Sequence, residues 1–387
     1  MKIGILIDRL NVGGVEKIAI QQVKALRDSG EDASLVVLRR KGVVQNAFPE
    51  LMKEIPVIYL DDRLIPLFKF SCPFPLFHFF SLFHITYCFF IPFAVKKKEF
   101  DYFIVHGTYT AFSAIAIKWI RKIPFSVFIW DPISYIVERV YGQKLAGLTK
   151  KILLLTAKHL DKFIISNTDV ILTGGPAHNG LFNNLNPDKK ILEISPGVNP
   201  LKKIALKKED YILMVTAWKS GKNPEYIFEL IKRIPKLRVK MVGKWLDSEY
   251  KKEFERKIKK INLSKNIEVI GEVNEKRLAK YYQEAVLLLQ TNDDRGFGMP
   301  ALEAAGHGTT FVIPKGQGVC NLFSDEIDGF YTKEKDTKKI AEYLNLLIEN
   351  KQLALKMGKH AWETVKTHYS WQKHTEKLKN IAQIKRE

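Results

Sequence analysis

The residues best suited to chemistry lie in one glycine-rich stretch, which is flanked by apolar runs at 285–290 and 311–314. A glycine-punctuated loop at 294–298 is followed by Pro300 at a first helical position and by Glu303 in the predicted first turn. In an open parallel sheet such a loop follows the carboxyl end of a strand, where ligands bind, and the helix start offers amide donors to a phosphate. The same pattern also fits an ordinary crossover with a tight turn, and the glycines alone do not decide between the two.

A second glycine turn, Gly13 and Gly14, lies between a predicted strand at 3–7 and a helix whose apolar residues recur at helical spacing. A further strand at 33–38 completes a βαβ unit. A dinucleotide-binding fingerprint needs three glycines in a fixed spacing, and only two are present here. A nicotinamide-dependent enzyme is therefore disfavoured, whereas a close approach of the backbone at these glycines to a phosphate or sugar is not.

Two polar side chains follow predicted strands farther along the chain. His106 ends a strand in the run 100–107, and Asp131 ends the strand at 124–131. Because the carboxyl ends of parallel strands meet at one edge of a sheet, we expect both residues to face the same crevice. A buried histidine bonded to the backbone and an aspartate that caps a helix fit the sequence equally well.

An aromatic segment at 70–95 contains no Asp, Glu, Lys or Arg. Prolines bracket its central part, which leaves about sixteen residues, fewer than the ~20 that a bilayer-spanning helix needs. Two interpretations remain, namely an unusually apolar core helix or a helix whose aromatic side lies in a membrane interface, flanked by Lys69 and by Lys96 to Lys98. The near absence of polar side chains favours membrane contact.

The composition limits the class of protein. At 387 residues, with 46% hydrophobic and 27% charged residues, the chain is expected to fold into two domains. The net charge of +20 favours anionic partners such as nucleotide phosphates or an acidic membrane surface, but no nucleic-acid-binding module is recognisable. The three cysteines lack metal-ligand spacing, which indicates a reducing compartment and no zinc site. The apolar part of the amino terminus is too short for a signal peptide.

Strands and helices alternate in two series, separated by a charged linker at 202–210. The predicted fold class is therefore α/β, with two Rossmann-like, doubly wound parallel-sheet domains facing a central cleft. The first domain covers residues 1–200 and includes the apolar segment at 70–95. The second covers residues 201–368, and residues 369–387 form a last helix.

Five motifs in this order resemble the GT-B glycosyltransferases of the large retaining family 4. GGVEK at 13–17 is similar to the family's GGAER opening, and DYFIVHG at 101–107 resembles its D-V-V-H-A-H-type strand. SPGVN at 195–199 resembles the I-P-N-G-V-D that closes the first domain. GFGMPALEA at 296–304 matches EGFGLPVLEA after its first letter, and YSW at 369–371 resembles the F-S-W that opens a helix crossing back to the first domain.

The resemblance implies metal-independent transfer of a sugar from a nucleotide-diphosphate donor, held mainly by the second domain, with retention at the anomeric carbon. Such a reaction requires stabilisation of the departing diphosphate, and Lys222 falls on the family's diphosphate-binding lysine. Glu303 falls on the second glutamate of the family's E-x7-E pair and would accept the two ribose hydroxyls. Gly296 and Gly298 would let the backbone approach the donor closely, and His106 falls near the acceptor and the transferred sugar.

Two departures from the family pattern bear on activity. The first glutamate of the pair is Arg295 here, and the arginine of the diphosphate loop is Ala217. One hypothesis is compensation, in which Arg295 supplies the missing cation while Asp294 or Asp293 contacts the sugar. Lys219 is a second candidate to replace the lost arginine. The competing hypothesis is a degenerate protein that binds the donor without transferring the sugar.

The expected protein is a glycosyltransferase that lies at the cytoplasmic face of a membrane, needs no cofactor or metal, and acts on a lipid-linked or polysaccharide-precursor acceptor. The alternative is a catalytically degenerate GT-B subunit that serves as a binding or scaffold protein. The expected catalytic residues are His106, Lys222, Arg295 and Glu303. The acceptor-side residues are His106 and Asp131. The expected donor-binding residues are Gly13, Gly14, Lys219, Lys222, Asp294, Arg295, Gly296, Phe297, Gly298, Met299 and Glu303.

Overall fold

The computed structural model describes the chain except for residues 12, 41–47, 65–72, 75–76, 82–88, 143–145, 176–178, 220, 292–295, 334 and 385–387. Its contacts divide the chain into two units. The first unit comprises Met1–Pro196 together with Trp371–Glu387, and the second comprises Gly197–Ser370. The borders expected from the sequence follow residues 200 and 368.

The first unit is built on a seven-stranded parallel sheet of order β3-β2-β1-β6-β7-β8-β9. Its strands are β1 (Lys2–Ile7), β2 (Asp32–Val37), β3 (Val57–Tyr59), β6 (Tyr102–His106), β7 (Phe125–Phe128), β8 (Val170–Thr173) and β9 (Ile191–Glu193). Most of these strands are continuous apolar runs, because helices cover both faces of a parallel sheet.

Helices cover this sheet on both sides. They are α1 (Gly14–Asp28), α2 (Pro49–Met52), α3 (described over 89–94), α4 (Thr108–Arg121), α5 (Ile133–Tyr141), α6 (Gly147–Asn167), α7 (Asn179–Leu185) and the last helix, α14 (Trp371–Ile384). The inner face of α1 carries Ile18, Ile20, Val23 and Leu26, all buried, and α14 packs beside it with Leu378 in the same core.

The aromatic segment at 70–95 differs from the helix expected there. Its described part contains β4 (Pro73–Phe74) and β5 (Phe77–Ser81), which pair antiparallel, and the helix occupies only residues 89–94. The helix prediction is therefore wrong for the ribbon, where aromatic residues fit a strand and a proline breaks helical hydrogen bonding. Residues 70–72, 75–76 and 82–88 lie outside the described part of the chain. No helix in that described part is long and apolar enough to span a bilayer.

The second unit has a six-stranded parallel sheet of order β12-β11-β10-β13-β14-β15. Its strands are β10 (Ile212–Val215), β11 (Val239–Val242), β12 (Ile267–Gly271), β13 (Leu287–Leu289), β14 (Thr310–Pro314) and β15 (Phe330–Thr332). Its helices are α8 (Tyr226–Arg233), α9 (Ser248–Lys260), α10 (Glu275–Glu284), α11 (Met299–Gly306), α12 (Thr337–Glu349) and α13 (Lys351–His368). The prediction of two doubly wound parallel-sheet domains is confirmed.

Each sheet has one point where the strand order reverses. It lies between β1 and β6 in the first unit and between β10 and β13 in the second. The loops that leave the carboxyl ends of such a strand pair run in opposite directions and leave a crevice, which is where ligands bind in open α/β sheets. Among the described residues, the sequence-predicted site residues lie on or near the loops that follow these four strands, except Asp131, which follows β7.

Candidate active site

At the switch point of the second unit, the loops after β10 and β13 are joined by hydrogen bonds. The Thr291 hydroxyl donates to the backbone oxygen of Asn223 at 3.2 Å and to that of Lys222 at 3.4 Å. Lys222 and Thr291 also line one small pocket with Thr216 and Gln290 at the carboxyl ends of the two strands. The structure thus brings the predicted diphosphate lysine next to the start of the glycine loop.

The segment around Trp218 positions the two residues beside it. Trp218 is buried, its indole nitrogen donates to the backbone oxygen of Val242 at 3.1 Å, and its ring stacks on Trp245. The neighbours of Trp218 are more accessible, with Ala217 half-buried and Lys219 exposed. Lys219 therefore lies on an accessible edge of this loop. A residue that replaces the family's arginine would need such a position to reach the donor.

The two glycines of the motif, Gly296 and Gly298, differ in the space that a side chain would have at each position. Gly298 caps α11 in the left-handed region, with φ of 89°, and a Cβ there would lie 2.5 Å from the side-chain oxygen of Gln317. Gly296 is exposed, and a Cβ there would meet nothing within 4 Å. Gly298 is therefore needed by the fold itself. The space at Gly296 is open to a ligand, as the sequence prediction for this glycine requires.

The loop between these glycines is tied to the segment after β14. The amide of Gly318 donates to the backbone oxygen of Gly296 at 3.1 Å, and that of Val319 donates to Phe297 at 2.7 Å. The next residue after Gly298, Met299, begins α11 and is half-buried. The backbone of the predicted donor loop is thus held by its own unit.

The carboxylate of Glu303 is oriented by a buried tyrosine. The Tyr282 hydroxyl donates to Oε2 of Glu303 at 2.7 Å, while the Tyr282 ring stacks on His307. Burial and the nearby Glu303 carboxylate raise the pKa of Tyr282 well above its usual value, which keeps the hydroxyl protonated as a donor. Glu303 itself is half-buried, on the accessible side of α11.

The placement of Glu303 in the first turn is wrong. Helix α11 begins at Met299, one residue before the predicted first position, so that Glu303 is its fifth residue and its first turn contains no acidic residue. The left-handed Gly298 starts the helix earlier than Pro300 alone indicates. Interaction with the helix dipole therefore contributes little to the position of this carboxylate.

Residues 292–295 lie outside the described part of the chain. They include Arg295 and Asp294, on which the compensation hypothesis depends, and Asp293. The roles assigned to these three residues stay predictions.

At the switch point of the first unit, the glycine turn is filled by a side chain of its own helix. Helix α1 begins at Gly14, and a Cβ on Gly13 would lie 2.4 Å from Oε2 of Glu16. Burial raises the pKa of the Glu16 carboxyl, although hydrogen bonds from the backbone of Glu16 and Asn11 act in the opposite direction. A ligand approaching Gly13 would therefore meet this carboxyl, whereas a Cβ on Gly14 would meet nothing within 4 Å.

His106 is 2% exposed and is joined to the last helix by a buried hydrogen-bond chain. Its Nε2 lies 2.6 Å from the side-chain oxygen of Gln22 on α1. The amide nitrogen of Gln22 lies 2.9 Å from Nε2 of His374 on α14, and Nδ1 of His374 lies 2.7 Å from the backbone oxygen of Ser195. The indole nitrogen of Trp130 donates to the remaining nitrogen of His106 at 3.3 Å.

One arrangement of protons satisfies every member of this chain. An indole N–H can only donate, so Nδ1 of His106 accepts and Nε2 carries the proton given to Gln22. Gln22 then donates to Nε2 of His374, whose proton lies on Nδ1 and goes to Ser195. Burial lowers the pKa of His106 to about 3 and that of His374 to about 4, so both rings are neutral near pH 7.

The segments that carry His106 and Asp131 are joined by a hydrogen bond from the neighbouring Thr108. The Thr108 hydroxyl donates to the backbone oxygen of Asp131 at 2.8 Å, while the His106 ring stacks on Phe128. Because both nitrogens of His106 are engaged, a substrate contact there would require the exchange of one bond. The acceptor-side roles of His106 and Asp131 stay predictions.

Sequence reasoning missed Gln22, His374 and Tyr282 as residues that orient site groups. Each lies inside a helix, and Gln22 and His374, which bond to each other, are separated by 352 residues, so no local pattern marks them. Glu16 stands in the GGVEK motif but received no role. Among the described residues, no group of three or more His, Cys, Asp or Glu could hold a metal ion.

Residues 200–364 match the family model of the glycosyl transferases group 1. An uncharacterized glycosyltransferase of Methanocaldococcus jannaschii is 26% identical over 57% of this chain and 60% of its own length. One of Haemophilus influenzae is 23% identical over 92% of this chain and 93% of its own length. A Campylobacter jejuni N,N'-diacetylbacillosaminyl-diphospho-undecaprenol alpha-1,3-N-acetylgalactosaminyltransferase is 33% identical, but over only 17% of this chain and 18% of its own length.

Solved structures match the chain almost from end to end. Sucrose-phosphate synthase from Thermosynechococcus elongatus gives a TM-score of 0.76 at 14% identity, covering 99% of this chain and 98% of the other. Anabaena HepE in complex with UDP-glucose gives 0.71 at 16% identity, covering 98% and 99%. These likenesses concern the fold, and with the family match they confirm the resemblance to GT-B glycosyltransferases.

Proposed function

Because the chain is a glycosyltransferase that carries a group 1 domain on the GT-B fold, we propose that it moves a sugar, with retention, from a nucleotide-diphosphate donor to a lipid-linked or polysaccharide-precursor acceptor. The observation that best supports this is the junction at the switch point of the second unit. There the loop carrying Lys222 is bonded through Thr291 to the loop that leads into Gly296 and α11. A cation, an open glycine, a helix start and, farther along that helix, an oriented carboxylate suit a nucleotide diphosphate.

Each group of this junction has a proposed role toward the donor. Glu303, fixed by Tyr282, accepts the ribose hydroxyls with its carboxylate. Lys222 places positive charge beside the diphosphate, and Lys219 adds to it from the exposed edge of the loop. Gly296 lets the donor approach the backbone closely.

Stabilisation of the leaving group is the main catalytic contribution in this proposal. In retaining transfer the bond to the anomeric carbon breaks ahead of attack, so negative charge develops on the departing diphosphate and nearby cations lower the barrier. Lys222 and Arg295 would supply that charge without a metal ion or other cofactor. Asp294 or Asp293 would contact the sugar in place of the family's first glutamate.

The acceptor is proposed to be presented at a membrane surface. The Campylobacter relative is named for a diphospho-undecaprenol acceptor, and Anabaena HepE was solved with UDP-glucose. In the apolar segment at 70–95, Phe89 and Phe93 of α3 are exposed, as contact with lipid requires. We expect peripheral attachment to the cytoplasmic face.

Ala217 favours a second candidate function. Without the family's arginine in the diphosphate loop, the second unit would bind a nucleotide sugar but transfer nothing, and the protein would serve as a binding subunit. Both candidates require donor binding, and only the first requires turnover.

The test is a panel of UDP-, GDP- and other nucleotide sugars, with melting temperature and release of nucleoside diphosphate measured for each. A donor at 100 times its Kd should raise the melting temperature by about 5–10 °C. Glu303→Ala should abolish that rise, whereas Glu349→Ala, an exposed glutamate of α12, should leave it intact. Binding without release would support the binding subunit, and no rise with any nucleotide sugar would contradict both candidates.

A further inference from the structure

Helix α6 of the first unit exposes an apolar stripe. Leu148, Ile152, Leu155 and Phe163 have exposed fractions between 39% and 73%. At 100° per residue these four positions lie on one side of the helix. The stripe extends over roughly 22 Å of helix length. The opposite side packs into the core through Leu153, Ala157 and Ile164, so the stripe lies outside the core of its own unit.

The stripe continues onto α4 and α3. Phe163 meets Trp119 edge-on, with ring centroids 6.0 Å apart, and Trp119 is 53% exposed. The Arg121 guanidinium, two residues farther along α4, lies 5.9 Å from the centre of the Phe93 ring. We call the combined surface the aromatic face. It consists of Phe89, Phe93, Trp119, Ile120, Leu148, Ile152, Leu155 and Phe163.

The exposed charges on the helices that form the aromatic face have one sign. Lys151, Lys158 and Lys162 of α6 are exposed along one side of the stripe, and Lys122 directly follows α4. Within residues 89–94, α4 and α6, all of which the structure describes, the only acidic residue is Asp161. It is buried and accepts two backbone amides at the start of α5, so it adds no exposed negative charge.

We propose that the aromatic face is a docking surface for an anionic lipid bilayer, with α6 lying in the plane of the interface. Trp, Phe and Leu would enter the boundary between headgroups and acyl chains, while the lysines would contact anionic headgroups. A symmetric pair of copies through the same face would bring together two surfaces of the same positive sign, and this repulsion disfavours a homodimer. The inference deepens the membrane association proposed above by naming α4 and α6 as its main elements.

The first experiment measures partition of the full chain onto vesicles of neutral phosphatidylcholine, with and without about 30 mol % phosphatidylglycerol. Wild type should bind the anionic vesicles more tightly, and salt should weaken this binding. The double variant Leu148→Glu and Ile152→Glu should bind anionic vesicles at least tenfold less. The double variant Leu206→Glu and Leu346→Glu is the matched control, because these leucines of the second unit are 79% and 43% exposed, and it should bind nearly as wild type does.

The second experiment distinguishes the effect of the lysines beside the aromatic face from the effect of the protein's net charge on vesicle binding. Lys151→Glu, Lys158→Glu and Lys162→Glu together should reduce binding to anionic vesicles at least tenfold. Lys259→Glu, Lys260→Glu and Lys265→Glu, which change exposed lysines of the second unit, remove the same charge and should reduce it less than twofold. Unchanged melting temperatures would show that all variants fold.

Three results would overturn the proposal. They are wild-type protein that ignores anionic vesicles, equal binding by the Leu148/Ile152 double variant, and a wild-type dimer in ultracentrifugation that this variant dissociates. Vesicle binding that survives in the variant would leave membrane association to another surface. The nucleotide-sugar panel tests the transferase proposal independently of membrane binding. These variants leave every proposed donor-site residue unchanged.

Discussion

The two switch points share a topology but differ in what occupies them. In the first unit the Glu16 carboxyl covers Gly13, and His106 is bonded on both ring nitrogens within a buried chain. In the second unit a Cβ on Gly296 would meet no atom within 4 Å, and Lys219 is exposed. One crevice is thus filled by its own side chains, and the other presents an open backbone and cations.

This difference shows that position in a fold does not by itself define a binding site. The strand order would assign a ligand to both crevices, whereas the side chains favour an anionic ligand only in the second unit. The polar residues of the first crevice satisfy one another, and their main effect is to hold α1 and α14 to the sheet. The predictions below test this contrast, beginning with the largest effect.

Under the compensation hypothesis, Arg295→Ala should abolish turnover, because it removes the cation proposed to replace the arginine lost at Ala217. We expect kcat to fall at least 10³-fold, about 4 kcal/mol of transition-state stabilisation. Steady-state kinetics with the donor identified in the panel would measure this. Arg256→Ala on α9, an exposed arginine of the same unit, is the control. Unchanged turnover in Arg295→Ala would refute the compensation hypothesis.

Gly298→Ala should lower the free energy of unfolding by about 3 kcal/mol, from left-handed backbone strain and the collision of its Cβ with Gln317 and Val319. Gly296→Ala should change it by less than about 0.5 kcal/mol, since its Cβ enters open space, while weakening donor binding. Denaturant unfolding and the donor-induced shift in melting temperature distinguish the two. Equal destabilisation by both variants would contradict the contrast drawn between these glycines.

The buried histidine chain should make the protein acid-sensitive. The native pKa values of His106 and His374, about 3 and about 4, lie below the ordinary value of 6.5, so the unfolded state binds more protons as the pH falls below 6.5. Stability is therefore full above this pH and decreases below it. Because of these two histidines, the free energy of unfolding should fall by about 2.7 kcal/mol between about pH 7.5 and pH 5.5.

Unfolding experiments at the two pH values measure this loss of stability, and one variant shows how much of it is due to His374. His374→Gln keeps a polar group at the end of the chain and should reduce the loss to about 1.4 kcal/mol. His159→Gln changes an exposed histidine of α6 and should leave the loss unchanged. A loss that is the same in all three proteins would show that other groups cause it.

Tyr282→Phe should have the smallest effect. It removes the hydroxyl that orients Glu303, so we expect donor affinity to fall about tenfold, or about 1.4 kcal/mol. Tyr281→Phe, on the preceding residue of α10, is the control. Titration of the donor by calorimetry would measure both, and wild-type affinity in Tyr282→Phe would show that the hydroxyl does not orient the carboxylate.

Contiguous patterns made most of the fold and the motif loops predictable. The apolar runs before the glycine loop and after it are β13 and β14, and the linker at 202–210 precedes β10 as expected. Gly296 to Glu303 could be recognised because its residues adjoin along the chain. The start of α11 was misplaced by one residue, since the left-handed backbone of Gly298, from which the helix begins at Met299, is not marked by the local sequence pattern.

The contacts that fill the first switch point could not be predicted in the same way. Gln22 looks like any polar residue of an amphipathic helix until His374 is brought to it from 352 positions away. The ribbon of β4 and β5 was also missed, because an aromatic run fits a strand as well as a buried helix when no charged residue sets a period. In both cases long-range packing decided what the local pattern left open.

The position of α14 also affects how the chain folds during synthesis. The first unit needs His374 and Leu378 from α14 to complete its hydrogen-bond chain and its core, whereas the second unit is one continuous segment. The second unit can therefore close while translation continues, but α1 keeps an unpaired Gln22 amide until residue 384 has been made. We expect nascent chains stalled before α14 to bind chaperones through this incomplete first unit, even though it was synthesised first.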